Sequence, residues 1–200
     1  MPRTADPATR DRIVTTAARL FYERGIRDVG MAEIVTEAGC GKNALYRWFP
    51  SKTDLVAAYL QDFGARRDVS SAQALEGLDD APAEALVALT REIAERTTAR
   101  GFRGCAFRNY VREFTSYDDE PGRLALAWLR KARAHVRRLV RQLDVEDPDV
   151  LAEHIWLIIE GLYSPVPSSR RKHDAAIAVR LVEELVGFGA LTPVEPVETR

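Results

Sequence analysis

Apolar residues recur along most of the chain at spacings of three and four, the period of a helix with one buried face. No stretch joins period-two alternation of β-branched residues to hairpin turn chemistry, so strands are not expected. The pattern predicts an all-α protein of about nine helices. In the first, Ile13, Ala17, Leu20 and Phe21 share a face; Asp6-Pro7 offers an N-cap followed by proline at the first helical position, and Gly25 stands where a left-handed C-cap ends a helix. A short second helix is expected over 31–38, a turn at Gly39-Cys40-Gly41, and a third helix over 42–49, stopped by Pro50. Ser51-Lys52-Thr53-Asp54 reads as a capping box with Asp in place of Glu, opening a fourth helix that runs to about residue 75. The fifth opens at Asp79-Asp80-Ala81-Pro82 and ends near Gly101, the sixth covers 105–115, and the seventh opens at Asp118-Asp119-Glu120-Pro121 and reaches about 143. Asp147-Pro148 opens the eighth, to about 163; a loop follows at 164–167, then a ninth helix over 172–188 and a tail, 191–200, expected to be disordered.

The 200 residues are 46% hydrophobic, enough for a sizeable core. Lys and Arg number 29 against 30 Asp and Glu, so a nucleic-acid surface would have to come from local clustering of charge. Two cysteines, Cys40 and Cys105, cannot form a disulfide framework or a four-cysteine zinc site, and a reducing cytoplasm is the expected setting. No apolar run is long enough to cross a membrane, and the first residues lack the apolar segment of a signal peptide. His135, His154 and His173 have no second His or Cys at metal-ligand spacing, and there is no nucleophile elbow, P-loop or dinucleotide glycine motif. Neither an enzyme nor a bound cofactor or metal is expected.

Two short helices joined by a glycine turn have the layout of a helix-turn-helix. On the third helix Leu45, Trp48 and Phe49 are expected to face inward, leaving Lys42, Asn43, Tyr46 and Arg47 outward. No acid lies between Glu37 and Asp54, whereas Lys42, Arg47 and Lys52 do, a local positive surface on a neutral protein.

The segment containing these helices reads Phe21-Tyr22-Glu23-Arg24-Gly25, Ala32-Glu33-Ile34-Val35, Ala38-Gly39, then Leu45-Tyr46-Arg47-Trp48-Phe49-Pro50-Ser51-Lys52-Thr53-Asp54-Leu55. In order and spacing it resembles the DNA-binding domain of the tetracycline-repressor (TetR) family of bacterial regulators. The resemblance implies an all-helical homodimer with a helix-turn-helix head at 7–53 and a ligand-binding and dimerisation body at 54–190. It further implies a double-stranded operator of near-palindromic sequence and a small-molecule effector, mostly apolar, that releases a repressor from DNA. By position Lys42, Asn43, Ala44 and Arg47 fall where the family meets DNA, Tyr46 matches its phosphate-contacting aromatic, and Lys52 a phosphate-contacting lysine. Arg can fork onto guanine and Asn can read adenine, whereas a tyrosine hydroxyl or an ammonium holds phosphate without reading sequence. The chain departs from the family at Gly30 and Gly41, which bring no capping side chain, and at Asn43 and Ala44, where Gly and a hydroxyl residue are frequent. Those departures bear on which operator is read. A helical interaction protein that has lost DNA binding is the alternative.

Arg103-Gly104-Cys105-Ala106-Phe107 resembles a Gly-Cys-x-Phe segment of some TetR-like bodies. Phe102, Cys105, Phe107, Tyr110, Phe114, Trp128 and Trp156 are candidates for an effector pocket, with core packing as the competing assignment. Cys105 is either an inert buried thiol or a redox sensor. The seventh helix gathers Arg130, Lys131, Arg133, Arg137, Arg138 and Arg141 on one side, which reads as a solvated face or a second DNA surface. The eighth is apolar nearly all round and the ninth has a wide apolar stripe. Ile155, Trp156, Ile159, Leu162, Val182 and Leu185 are therefore expected to face a partner subunit in an isologous helical interface.

Overall fold

A computed structural model of the chain describes residues 6–164 and 170–187. Among them lie α1 (Pro7–Arg24), α2 (Met31–Glu37), α3 (Lys42–Trp48), α4 (Lys52–Ala74), α5 (Pro82–Thr98), α6 (Ala106–Glu113), α7 (Glu120–Val140), α8 (Pro148–Leu162) and α9 (Arg171–Leu185), and no strand. α9 ends at Leu185, with turn at Val186 and Gly187, short of the expected end at Phe188; Phe188, the loop expected at 165–167 and the tail at 191–200 lie outside the described residues.

The helix starts follow local chemistry. The Ala8 N–H donates to Asp6 Oδ1 at 3.1 Å, and the Val150 N–H to Asp147 Oδ1 at 3.0 Å, so each aspartate satisfies a donor the helix leaves unpaired. The capping box closes with its shorter acid: the Ser51 N–H donates to Asp54 Oδ2 at 2.8 Å and the Asp54 N–H to Ser51 Oγ at 3.2 Å. α5 departs from expectation: Ala81 occupies its N-cap with no side-chain bond, so the start is set by Pro82 rather than by Asp79 or Asp80. α7 stops at Val140, three residues early, in turns at Arg141 and Gln142.

The chain divides into two compact units, one formed by residues up to Ser70 with Arg103–Ala132, the other by Ser71–Phe102 with the residues from Arg133 on; two of the three divisions fall within α4 and α7 and the third between α5 and α6. In the first unit α1, α2 and α3 pack together over Ile13, Ala17, Leu20, Ile34 and Leu45. Farther along α4, Phe107 of α6 stacks on Trp128 of α7 with ring centroids 4.6 Å apart, and Phe63 meets Phe107 edge-on at 5.5 Å. Gly64 makes room for this stack: a Cβ there would come within 3.2 Å of Phe107. Tyr110 donates its hydroxyl to Asp119, whose Oδ1 also accepts the Gly122 N–H at 2.9 Å, tying α6 to the start of α7. In the second unit α5, α8 and α9 pack against one another over Leu86, Ile93, Ile155, Ile159 and Val182.

The cationic side of α7 is largely an exposed face, and three of its arginines are ion-paired there. Arg133 and Arg137 both bond the Glu153 carboxylate of α8, and Arg141 pairs with Asp149 at 3.1 Å. Nearer the helix start, Lys131 pairs with Asp68 of α4 at 2.7 Å. The two guanidiniums hold the Glu153 carboxyl below the usual glutamate range.

Candidate nucleic-acid interface

The recognition segment is built on a buried anchor. Leu45 is fully buried and Phe49 nearly so, with Trp48 half-buried beside them. Burying a leucine is worth about 1.5–3 kcal/mol, which fixes the rotation of a helix too short to be stable alone. That rotation turns Lys42, Asn43, Tyr46 and Arg47 outward; all are exposed, while Ala44 is half-buried. The Lys42 ammonium lies 6.0 Å from the centre of the Tyr46 ring. Gly30 and Gly41 take the N-cap positions of α2 and α3 with extended backbone and no side-chain bond. α2 is braced from α1: Arg12 Nε donates to the Ala38 carbonyl at 2.9 Å, Arg19 pairs with Glu37 at 2.7 Å, and Arg24 pairs with Glu33.

Lys52, at the first position of α4, is only half-exposed, and its ammonium donates to the Arg27 carbonyl at 3.3 Å. Burial lowers its pKa, against the pull of the Glu113 and Asp28 carboxylates, which favour the charged form. Of the six expected DNA-facing positions, five lie on α3 and Lys52 opens α4; all but Ala44 carry a polar or cationic group.

The pocket candidates separate into clusters. Phe107 and Trp128 stack on each other, Tyr110 and Phe114 stack at 4.6 Å, and Phe102 sits 6.4 Å from Tyr163. Cys105 and Tyr110 are buried, and Trp156 is half-buried on α8. The buried Trp128 indole N–H has no acceptor among the described residues.

Of the six residues expected at a dimer interface, Trp156 is half-buried and Leu185 exposed, and the other four are covered by their own chain. Ile155, Ile159, Leu162 and Val182 are buried within their own chain, 0 to 9% exposed, so a partner has almost nothing left to cover. The large apolar side chains α8 and α9 leave open among the described residues are Val150 (49% exposed), Leu157 (66%), Leu181 (42%) and Leu185 (37%). A groove of about 410 Å³ is lined by Ile158, Gly161, Ile177, Ala178 and Leu181 among others. An apolar circumference cannot by itself say which side its own core takes, and here α5 and α9 take the side carrying Ile155 and Ile159.

The helix-turn-helix geometry and its exposed, acid-free face are those of a DNA-binding domain, and comparison with known proteins agrees. Residues 13–59 match the family described as "Bacterial regulatory proteins, tetR family". The crystal structure of SCO4454, a TetR-family transcriptional regulator from Streptomyces coelicolor, superposes with a TM-score of 0.83 at 27% identity, covering 90% of this chain and 95% of that one. The HTH-type transcriptional regulator YjdC of Escherichia coli K12 is 25% identical over 193 residues, 92% of this chain and 99% of its own. The HTH-type transcriptional repressor BdcR of the same organism is 24% identical over 153 residues, 76% of each chain. Residues 13–59 thus match the TetR family, and the chain as a whole is similar to TetR-family transcriptional regulators. No helix among the described residues is long and apolar enough to cross a membrane.

Two residues at the interface escaped the sequence reading. Arg27 accepts Lys52 through its carbonyl, and Glu113 accepts the backbone N–H groups of Ile26 and Arg27. Bonds to main chain leave no pairing of residue types to find, and Glu113 lies 87 positions from Ile26.

Proposed function

We propose that the chain is a homodimeric, effector-responsive repressor that binds a near-palindromic operator through residues 7–53 and senses a small molecule through residues 54–190. The observation that carries this reading is the outward face of α3, where Lys42, Asn43, Tyr46 and Arg47 stand exposed above buried Leu45 with no acid among them. Arg47 and Asn43 read base edges in the major groove; Lys42, Tyr46 and Lys52 hold phosphates. Ala44 lets the helix approach the groove closely and brings no hydrogen bond of its own. That a 24%-identical relative is named a repressor supports the direction of control.

Two copies bring two reading heads to one duplex, and Leu157, Leu181 and Leu185 are the apolar side chains that the dimer covers. The effector is mostly apolar and carries one hydrogen-bond acceptor. It meets the aromatic group of Phe107 and Trp128, where the indole N–H lacks an acceptor among the described residues. Release requires that it bind the DNA-free shape more tightly, by a coupling of roughly 1–3 kcal/mol.

The test begins by recovering operator duplexes from fragmented genomic DNA with the purified protein, then screening compounds by thermal shift. An effector should raise the melting temperature, quench tryptophan fluorescence in wild type but less in Trp128→Phe, and weaken operator binding about 5- to 150-fold. A compound that binds at Trp128 and leaves operator affinity unchanged would contradict effector control.

A further inference from the structure

The corner between α1 and α2 is gripped from α6. Gly25 leaves α1 with φ +92°, a conformation glycine takes readily, and a Cβ there would lie 3.6 Å from the Glu113 carboxylate, in ordinary contact. One Glu113 oxygen accepts the Ile26 N–H at 3.0 Å and the other accepts the Arg27 N–H. The Arg27 guanidinium lies over the Phe114 ring, 5.0 Å from its centre. On its other side, Arg27 offers its carbonyl to the Lys52 ammonium at 3.3 Å. A second tie holds the other end of α6: Tyr22 on α1 donates its hydroxyl to the Gly104 carbonyl at 3.0 Å and accepts the Arg103 N–H at 2.9 Å. Gly104, at φ +103°, makes that turn.

From this geometry we infer that Glu113 is a positioning residue for DNA binding: by fixing the N–H groups of Ile26 and Arg27 it sets the Arg27 carbonyl that aims Lys52 at the phosphate backbone. The inference rests on the reading of Lys52 as a phosphate contact. A long lysine on the surface samples many rotamers, and holding one costs side-chain entropy. A carbonyl fixed from behind limits that sampling before DNA arrives. Glu113 and Asp28 also favour the charged form of Lys52, opposing its partial burial.

The sign of the effect separates positioning from plain electrostatics. Glu113 carries negative charge near a DNA-facing lysine, so if charge were its only contribution, removing it would strengthen DNA binding. Positioning predicts the opposite. Operator binding of wild type, Lys52→Ala, Glu113→Gln, Glu113→Ala and the Lys52→Ala/Glu113→Ala pair is measured by fluorescence anisotropy over a salt series, on an operator recovered from genomic fragments. Each phosphate contact contributes about 0.9 to the slope of log K against log salt, so Lys52→Ala should lower the slope by about 1.8 for two subunits. Glu113→Ala should weaken binding several-fold and lower the slope similarly, and the double variant should lower it no further. Glu113→Gln keeps one acceptor oxygen and should fall between wild type and Glu113→Ala. It serves as the deciding variant if Glu113→Ala melts below the assay temperature. Binding that strengthens in Glu113→Gln, or a slope unchanged in both Glu113 variants while Lys52→Ala lowers it, overturns the positioning role and leaves the phosphate contact standing. An unchanged slope in Lys52→Ala overturns both.

Discussion

At the residue scale, much of the molecule depends on where there is room for nothing. A Cβ on Gly122 would overlap the backbone of Tyr117 and approach Asp119 Oδ1, the same oxygen that accepts the Gly122 N–H. Neither neighbour is the loose end of a flexible side chain. Gly122→Ala should therefore cost about 1–3 kcal/mol, above the usual gain from replacing helical glycine, and show as a lowered midpoint in urea. An unchanged midpoint would mean that the Asp119 turn relaxes freely. Leu45 carries a second expectation. Its truncation to alanine should cost about 2–5 kcal/mol and, by loosening α3, reduce operator affinity by more than Ala44→Gly does. Equal affinities in the two variants would show that the anchor does not set the reading face.

At the element scale, helix starts were the most legible feature, because a cap is local chemistry: Asp6-Pro7, Ser51 with Asp54, and Asp147-Pro148 all open helices as their residue types dictate. The inward set on α3 was legible for a similar reason, since three- and four-residue spacing decides it. Pairing between helices was not. The cations of α7 follow a pattern that solvent or DNA would satisfy equally well, and only the fold brings Glu153 and Asp149 of α8 to Arg133, Arg137 and Arg141. The same gap misassigned Ile155, Ile159, Leu162 and Val182, because an apolar position does not say whether its own chain or a partner covers it. The α7–α8 seam has a pH signature. The folded-state pKa of Glu153 lies below its unfolded value, so its contribution is full above the unfolded value, near 4.5, and is lost as pH falls toward the folded one. Glu153→Gln should lower the melting temperature slightly at pH 7, and the gap to wild type should close below about pH 4.5. A gap that persists undiminished at pH 3 would show that the pairing with Arg133 and Arg137 is not its source.

At the scale of the whole molecule, the proposed regulation requires that two heads engage one site, and the exposed leucines of α8 and α9 are where the proposed dimer can be broken without touching the core. Leu157→Glu with Leu181→Glu should yield a folded monomer at micromolar concentration by sedimentation, with helical content retained, and weaken operator binding strongly because each head then binds alone. A double variant that stays dimeric would move the interface elsewhere. The reading face itself is tested most directly by a division of labour. On a recovered operator and on a scrambled duplex, anisotropy is followed over a salt series for wild type, Arg47→Ala and Lys52→Ala. Arg47→Ala should cost roughly 1–3 kcal/mol per half-site on the operator, nearly erase the preference over scrambled DNA at one base position, and do much less to the scrambled duplex. Lys52→Ala should weaken both duplexes alike and lower the salt slope by about 0.9 for each phosphate the variant no longer neutralises. Identical profiles for the two variants, or binding unchanged in both, would contradict the assignment of α3 as the helix that reads DNA.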